Sequence, residues 1–69
     1  MQQIDTRGRS CPEPVMLTRA ALQKEAQGVC VLADNLCAAE NITRFANHSG
    51  YEVKREKNGG EYTLLLQKK

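Results

Sequence analysis

The sequence predicts an α/β fold: a two-layer sandwich with two helices on one face of a four-stranded mixed sheet. Three observations predict it. Two segments have the composition or apolar spacing of helices, a short β-branched run lies between them, and a glycine-rich turn separates two strand-like stretches near the C-terminus. The order is therefore β-α-β-α-β-β. The early strand–helix–strand units favour parallel neighbours with right-handed crossovers, which place both helices on the same face.

The first half of the chain supplies a strand, a helix and a second strand. Residues 2–6 are predicted as a short strand, followed by a turn at Gly8. Residues 12–27 are rich in good helix formers and contain no glycine, and Gly28 is expected to end that helix. The run VCVLA, residues 29–33, is typical of a buried strand.

The second half begins with DNLC, residues 34–37, which is predicted as a turn. The next segment, residues 38–49, has the clearest helical periodicity in the chain, and Gly50 is the expected residue after its end. Two strands and the hairpin turn NGG complete the sheet: residues 51–57, 58–60 and 61–67. The predicted core consists of Ile4, Val15, Leu22, Val29, Val31, Ile42, Phe45, Ala46, Val53, Leu64 and Leu66.

Length and composition exclude several functional classes. A chain of 69 residues is predicted to form a single domain, residues 1–69. Three widely spaced cysteines, an odd number, argue against a disulfide framework and fit a reducing cytoplasm. The net charge of +2 is mild and the three aromatic residues are scattered, so direct nucleic-acid binding is not expected. No apolar run is long enough to span a membrane.

The stretch DTRGRSCPEP, residues 5–14, places two prolines directly after a cysteine. If Cys11 is the N-cap of the first helix, Pro12 is its first residue and Pro14 its third. The first N–H groups of a helix have no intrahelical acceptor, so proline loses no hydrogen bond there and stiffens the first turn. Gly8 would let the preceding loop fold close. The prolines are therefore expected to start the helix and to hold Cys11 in place.

This position favours a reactive Cys11. The partial positive charge at a helix N-terminus favours thiolate over thiol, and the thiolate is the nucleophile. Arg7 and Arg9 are expected to add to the effect, whereas Glu13 opposes it if its side chain turns inward. The end of the first strand is also where open α/β sheets place their sites. The alternative is that Cys11 is only a small capping residue.

The other cysteines and the histidine are weaker candidates. Cys37 stands after the second strand as Cys11 stands after the first, so parallel strands would place both at one edge of the sheet. Cys37 would then either resolve a persulfide or sulfenate on Cys11, or be a small residue at a helix start. Cys30 is expected to be a buried hydrophobic residue and His48 a solvated one. Without a C-x-x-C pair, no metal site is expected.

The motif resembles a known family. Asp5, Gly8, Cys11, Pro12 and Pro14 reproduce the D-x-x-G-x-x-C-P-x-P signature of the TusA/SirA-like sulfur carriers, and the resemblance covers essentially the whole chain. It implies that the motif cysteine accepts a sulfane sulfur as a persulfide and relays it, without a metal or organic cofactor. The implied partners are a sulfur-donor protein of cysteine desulfurase or rhodanese type and an acceptor protein.

The resemblance leaves the pathway open between tRNA thiolation, cofactor synthesis, sulfur oxidation and selenium metabolism. The segment from Asp34 to Val53 is most similar to the N-terminal domain of the selenium-associated members, so these residues would be the first module of a longer chain. The family often has proline near position 36, where this chain has Leu36, and the resemblance gives Cys37 no role. A different class remains open: a non-catalytic regulatory or interaction module with a redox-sensing or structural Cys11.

Met16 and Leu17 lie off the main apolar stripe of the first helix. One interpretation is that both flank the core. The other is that one of them is exposed beside Cys11, as part of a docking patch for a partner protein.

Overall fold

Six elements appear in the predicted order in the computed structural model, which describes residues 2–69. They are β1 Gln2–Asp5, α1 Glu13–Lys24, β2 Gly28–Ala33, α2 Leu36–His48, β3 Tyr51–Asn58 and β4 Glu61–Lys68. The two helices pack against each other and against the sheet. The predicted two-layer α/β sandwich is therefore confirmed.

The strands form one mixed sheet in the order β1-β2-β4-β3. β1 runs parallel to β2, and β4 runs antiparallel to both β2 and β3. In the parallel pair, Ile4 lies opposite Val31 and Asp5 opposite Leu32. The carboxyl ends of β1 and β2 therefore lie side by side, and so do the loops that lead into the two helices.

The core fills the space between the helices and one face of the sheet. Seven of the eleven predicted core residues are buried, namely Leu22, Val29, Val31, Ile42, Ala46, Leu64 and Leu66, and the other four, Ile4, Val15, Phe45 and Val53, are partly buried against them. The prediction omitted small buried side chains: Ala21, Ala33, Ala38, Ala39, Thr6, Thr18 and Pro14. Alanine carries little apolar signal in a sequence, yet small residues let two helices approach closely.

The first helix is shorter than predicted. It ends at Lys24, where the N–H of Glu25 still bonds the carbonyl of Ala21 at 2.8 Å, so the predicted end at residue 27 is wrong. Gly28 is not the residue that ends it. Gly28 begins β2 with φ at +147°, and a Cβ there would collide with the carbonyl oxygen of Leu66. The glycine is needed for the close approach of β4.

The second helix begins earlier than predicted. The turn holds only Asp34 and Asn35, because the Asn35 side chain caps α2 by accepting the N–H of Ala38 at 2.8 Å. Residues 36 and 37, predicted as turn, are therefore helical. At the other end Ser49 is the C-cap and Gly50 follows with φ at +83°, as predicted.

The remaining boundaries differ by one residue. β1 ends at Asp5 rather than at Thr6, although the N–H and the hydroxyl of Thr6 both still donate to the carbonyl of Leu32. In the hairpin, Asn58 pairs with Glu61, so the turn is reduced to two glycines and β3 gains Asn58. At its other end β4 gains Lys68, which pairs with Tyr51.

Candidate functional site

Two thiols meet where the loops after β1 and β2 lie side by side. The Sγ atoms of Cys11 and Cys37 are 3.8 Å apart, and both residues are exposed. Cys11 comes from the loop between β1 and α1, and Cys37 from the first turn of α2. The parallel, directly adjacent strands bring the two cysteines to one edge, as their positions in the sequence predict.

An asparagine that the sequence analysis missed binds both sulfurs. Nδ2 of Asn41 donates to Sγ of Cys11 at 3.2 Å and lies 3.7 Å from Sγ of Cys37. Nη1 of Arg44 donates to Oδ1 of Asn41 at 2.9 Å, which leaves the NH₂ group facing the sulfurs. Cys37, Asn41 and Arg44 follow each other at four- and three-residue intervals, the spacing of one helix face. This spacing would have pointed to Asn41 if the sequence analysis had placed Cys37 on a helix.

The neighbouring Cys11 affects the ionisation of the Cys37 thiol. The hydrogen bond to Cys11 is the largest cause that raises the pKa of the Cys37 thiol, followed by the charge of Cys11 and by partial desolvation, while Asn41 opposes the rise. The S–H of Cys37 and the Nδ2–H of Asn41 both lie within hydrogen-bond reach of the Cys11 sulfur.

The start of α1 differs from the prediction. Its N-cap is Pro12, with no side-chain hydrogen bond, and Pro14 is the second helical residue, so Cys11 lies one residue before the cap. The N–H of Met16 makes the first helical bond, to the carbonyl of Pro12 at 3.1 Å. Both prolines occupy the first turn, where no N–H is needed, and Pro14 is fully buried. The Cys11–Pro12 peptide bond is cis.

Carboxylates bind both arginines of the motif, which differs from the expectation that the arginines act on the thiol. Nε and Nη2 of Arg7 each bond an oxygen of Asp5 at 2.9 Å, and Nη1 bonds Glu61 at 3.3 Å. Arg9 bonds Oε2 of Glu13 at 3.1 Å. The side-chain hydrogen bond from Arg7 lowers the pKa of Asp5 to about 2. The N–H of Glu13 donates to the carbonyl of Ser10 and not to sulfur.

A hydrogen bond joins the two loops beside the thiols. Gly8 has φ at +79°, and its N–H donates to Oδ2 of Asp34 at 2.8 Å. The side chain of Asn35 donates to the other Asp34 oxygen at 2.9 Å. The Gly8 bond, and then the Asn35 bond, lower the pKa of Asp34. The turn after β2 thus holds the loop that carries Cys11.

The other candidates lie outside this cluster. Cys30 is half-buried and alternates with the core residues Val29 and Val31, so its side chain lies on the face of the sheet away from the helices, and the expectation that it is buried is wrong. His48 is exposed, as predicted. Within residues 2–69, no three His, Cys, Asp or Glu side chains are arranged to hold a metal ion. No helix in the same range combines the length and apolar character needed to cross a bilayer.

Two large apolar side chains are exposed near the starts of the two helices. Met16, in the second turn of α1, is 60% exposed, whereas its neighbour Leu17 is half-buried. Leu36, which directly precedes Cys37, is 48% exposed. The exposure of Met16 agrees with the interpretation that one of these two residues is exposed. Its role in docking a partner stays a prediction.

The chain is similar to known sulfur-carrier proteins along its whole length. A family model described as sulfurtransferase TusA matches residues 2–68. A putative sulfur carrier protein of Methanocaldococcus jannaschii is 35% identical over 71 residues, covering 99% of this chain and 95% of that protein. The sulfur carrier protein TusA of Pseudomonas putida is 30% identical over 69 residues, covering 96% of this chain and 86% of that protein.

A solved structure agrees. The crystal structure of a SirA-like protein from Desulfitobacterium hafniense superposes with a TM-score of 0.85 and 31% sequence identity, and the match covers 100% of both chains.

Proposed function

The chain belongs to the TusA sulfurtransferase family, and we propose that it accepts a sulfane sulfur as a persulfide on Cys11 and relays it to an acceptor protein. The coarser role, a sulfur carrier that works between donor and acceptor proteins, follows from the family. The finer assignment rests on one observation: an exposed Cys11 whose Sγ receives the Asn41 amide at 3.2 Å, with the Cys37 thiol 3.8 Å away.

Hydrogen-bond donors aimed at a sulfur support this role because they stabilise its anionic form. A thiolate is the attacking species, and a bound persulfide is itself an anion at its outer sulfur. Donors placed in advance stabilise the charge without reorganising during the reaction. The amide of Asn41, held by Arg44, is such a donor.

The transfer proceeds by two sulfur exchanges. The Cys11 thiolate attacks the outer sulfur of a donor persulfide, the bond between that sulfur and the donor cysteine breaks, and the donor leaves as a thiolate. An acceptor thiolate then attacks the outer sulfur on Cys11, and Cys11 returns to thiolate. Each step forms one S–S bond and breaks one, so no oxidant, metal or cofactor is required.

The exposure of Cys11 supports protein partners, because a sulfur on another protein can reach it without entering a pocket. The donor would be of cysteine desulfurase or rhodanese type, and the acceptor a protein thiol. Unpaired thiols that must stay reduced fit a reducing cytoplasm. Residues 1–69 would form one carrier domain. In a selenium-associated protein this domain would be the first module of a longer chain.

Mass spectrometry of the intact protein tests the proposal. After incubation with a cysteine desulfurase and cysteine, the wild-type chain should gain the mass of one sulfur atom, mapped to Cys11. Cys11→Ser should gain nothing. Cys30→Ser is the matched control, because Cys30 lies on the far face of the sheet, and it should load like the wild type.

The close pair of thiols also favours a second candidate function, a regulatory module without carrier activity. The thiol pair at 3.8 Å would also suit a redox-sensing module with no carrier activity. If no sulfur is found on any variant, while Cys11 reacts with iodoacetamide at the rate of an ordinary exposed thiol, the carrier proposal is wrong and the module is the better description.

A further inference from the structure

The second thiol takes no part in the transfer described above, yet it is the nearest sulfur to Cys11. We propose that Cys37 discharges the Cys11 persulfide within the same chain, releasing hydrosulfide and closing a Cys11–Cys37 disulfide. This activity rests on the proposed function, because it needs a sulfur-loaded Cys11. It would make the protein a source of sulfide as well as a carrier of sulfane sulfur.

The geometry places Cys37 for attack on the inner sulfur. Its Sγ is 3.8 Å from Sγ of Cys11, slightly beyond the roughly 3–3.5 Å typical of groups about to react. Both side chains are exposed and free of a disulfide, so a change of side-chain rotamer can bring the two sulfurs closer. The outer sulfur can leave directly into solvent.

Asn41 lies where the reaction changes charge. Its Nδ2 is 3.2 Å from one sulfur and 3.7 Å from the other, so one amide can donate to Cys11 while it carries sulfur and to Cys37 when it becomes the nucleophile. The bond from Arg44 keeps the amide in this orientation. The contact between Asn41 and Cys37 would have no chemical role if Cys37 were only a small residue at a helix start.

The step balances without another reactant. The Cys37 thiol loses its proton to solvent, its sulfur forms a bond to Sγ of Cys11, and the bond from Cys11 to the outer sulfur breaks. The outer sulfur takes that electron pair and leaves as hydrosulfide. Two thiol sulfurs are oxidised to a disulfide while the sulfane sulfur is reduced to sulfide. A dithiol reductant must then reopen the disulfide before the next cycle.

Competition decides how much sulfur is discharged. An acceptor attacks the outer sulfur, whereas Cys37 attacks the inner one. Cys37 must lose its proton before it attacks, and an ordinary cysteine thiol is mostly protonated near neutral pH, so this attack is slow. A loaded chain that meets an acceptor promptly therefore delivers its sulfur, and one that meets none loses it as sulfide.

The experiment follows preloaded protein over time. Wild type, Cys37→Ser, Cys37→Ala and Cys30→Ser are loaded with a cysteine desulfurase and cysteine, separated from the donor, and kept without oxygen or reductant. We expect wild type and Cys30→Ser to lose the added sulfur, release one sulfide per chain and yield a linked Cys11–Cys37 peptide. Both Cys37 variants should keep the sulfur. Loss should be independent of protein concentration.

Four results would overturn the proposal. One is equal sulfur loss from wild type and the two Cys37 variants. Another is loss that accelerates with concentration and yields only disulfides between chains. The third is a failure of every variant to load, which would refute the carrier function itself and the discharge with it. If the Cys37 variants load and the wild type keeps its added sulfur as long as they do, only the discharge is refuted.

Discussion

The two loops that enter the helices are built differently although each places a cysteine at the same edge of the sheet. The loop between β1 and α1 spans residues 6–12, includes a glycine with positive φ, and leads into a helix with no side-chain cap. The loop between β2 and α2 is only residues 34–35, and Asn35 caps the helix. Cys11 therefore lies before its helix, and Cys37 within one.

The difference separates two roles. A cysteine in the first turn of a capped helix has a fixed backbone, and the residues one and two turns later, Asn41 and Arg44, are fixed with it. A cysteine in a longer loop can be approached by another protein. In the proposed transfer, α2 would supply the groups that act on the sulfur, and the longer loop would present the sulfur that partners reach.

The largest expected effect concerns the influence of one thiol on the other. Cys11→Ser removes the main cause that raises the pKa of Cys37, together with the charge of Cys11. At a fixed pH below that pKa the thiolate fraction of Cys37 should rise, and iodoacetamide should label Cys37 faster than in wild type. The charged or polar groups that act on Cys37 are Cys11, Asn41 and Glu40, so Asn41→Leu should have the opposite effect.

Unchanged labelling of Cys37 across the pH range in Cys11→Ser would contradict the coupling. Cys30→Ser provides the reference, since it removes a thiol without touching the pair.

The next effect tests the longer loop through Gly8. With φ at +79°, an alanine at this position is expected to cost about 1–2 kcal/mol. No atom lies within 4 Å of the place a Cβ would take, so the cost is conformational and not steric. Gly8→Ala should reduce sulfur loading more than Gly8→Asn, because asparagine tolerates this conformation better. Loading rates and urea unfolding of the two variants provide the comparison, and equal rates would contradict it.

A smaller effect is expected at the shorter loop. Asn35→Ala removes the side-chain acceptor of the Ala38 N–H and should lower the free energy of unfolding by about 1 kcal/mol. Asn35→Asp keeps an acceptor and should recover most of that stability. Urea denaturation measures both, and identical midpoints for the alanine and aspartate variants would show that the cap contributes nothing.

The smallest effect tests the hydrogen bond that joins the loops. The pKa of Asp34 is lowered in the folded chain, so its contribution to stability is complete above its unfolded value near 3.9 and is lost as pH falls below that value. Asp34→Asn should therefore be less stable than wild type at neutral pH, and the difference should shrink as pH falls below about 4, so that the pH profile of the variant is flatter. Parallel acid titrations of the two proteins, followed by circular dichroism, would detect it.

The apolar pattern and the spacing of residues are sufficient to predict the architecture and the proximity of Cys11 and Cys37. Parallel strands followed by equivalent loops place Cys11 and Cys37 together whatever the details of the loops. The cap of α1 was not predictable, because two prolines in one turn allow several starts that differ by a residue. Cys30 was misplaced because a run that is apolar on both faces does not reveal which side chains contact the helices.

Asn41 could not be identified from the sequence, since its contact with Cys11 joins residues 30 positions apart. Periodicity places it on a helix but gives no rotamer. Its recognition also required α2 to begin at Leu36, which depended on the cap at Asn35.

The double hydrogen bond of Thr6 and the burial of Pro14 limit how far the carrier's sulfur can travel. Thr6 is fixed to the carbonyl of Leu32 on one side of Cys11, and Pro14 is held in the core on the other. Pro14 is the third residue after Cys11, so even a fully extended segment between them spans only about 10 Å. A segment of this length cannot carry Cys11 into a deep recess in a donor or acceptor protein. In the proposed relay, the partner would therefore have to present its sulfur at its own surface or on a mobile segment, and the larger movement in each transfer would be made by the partner.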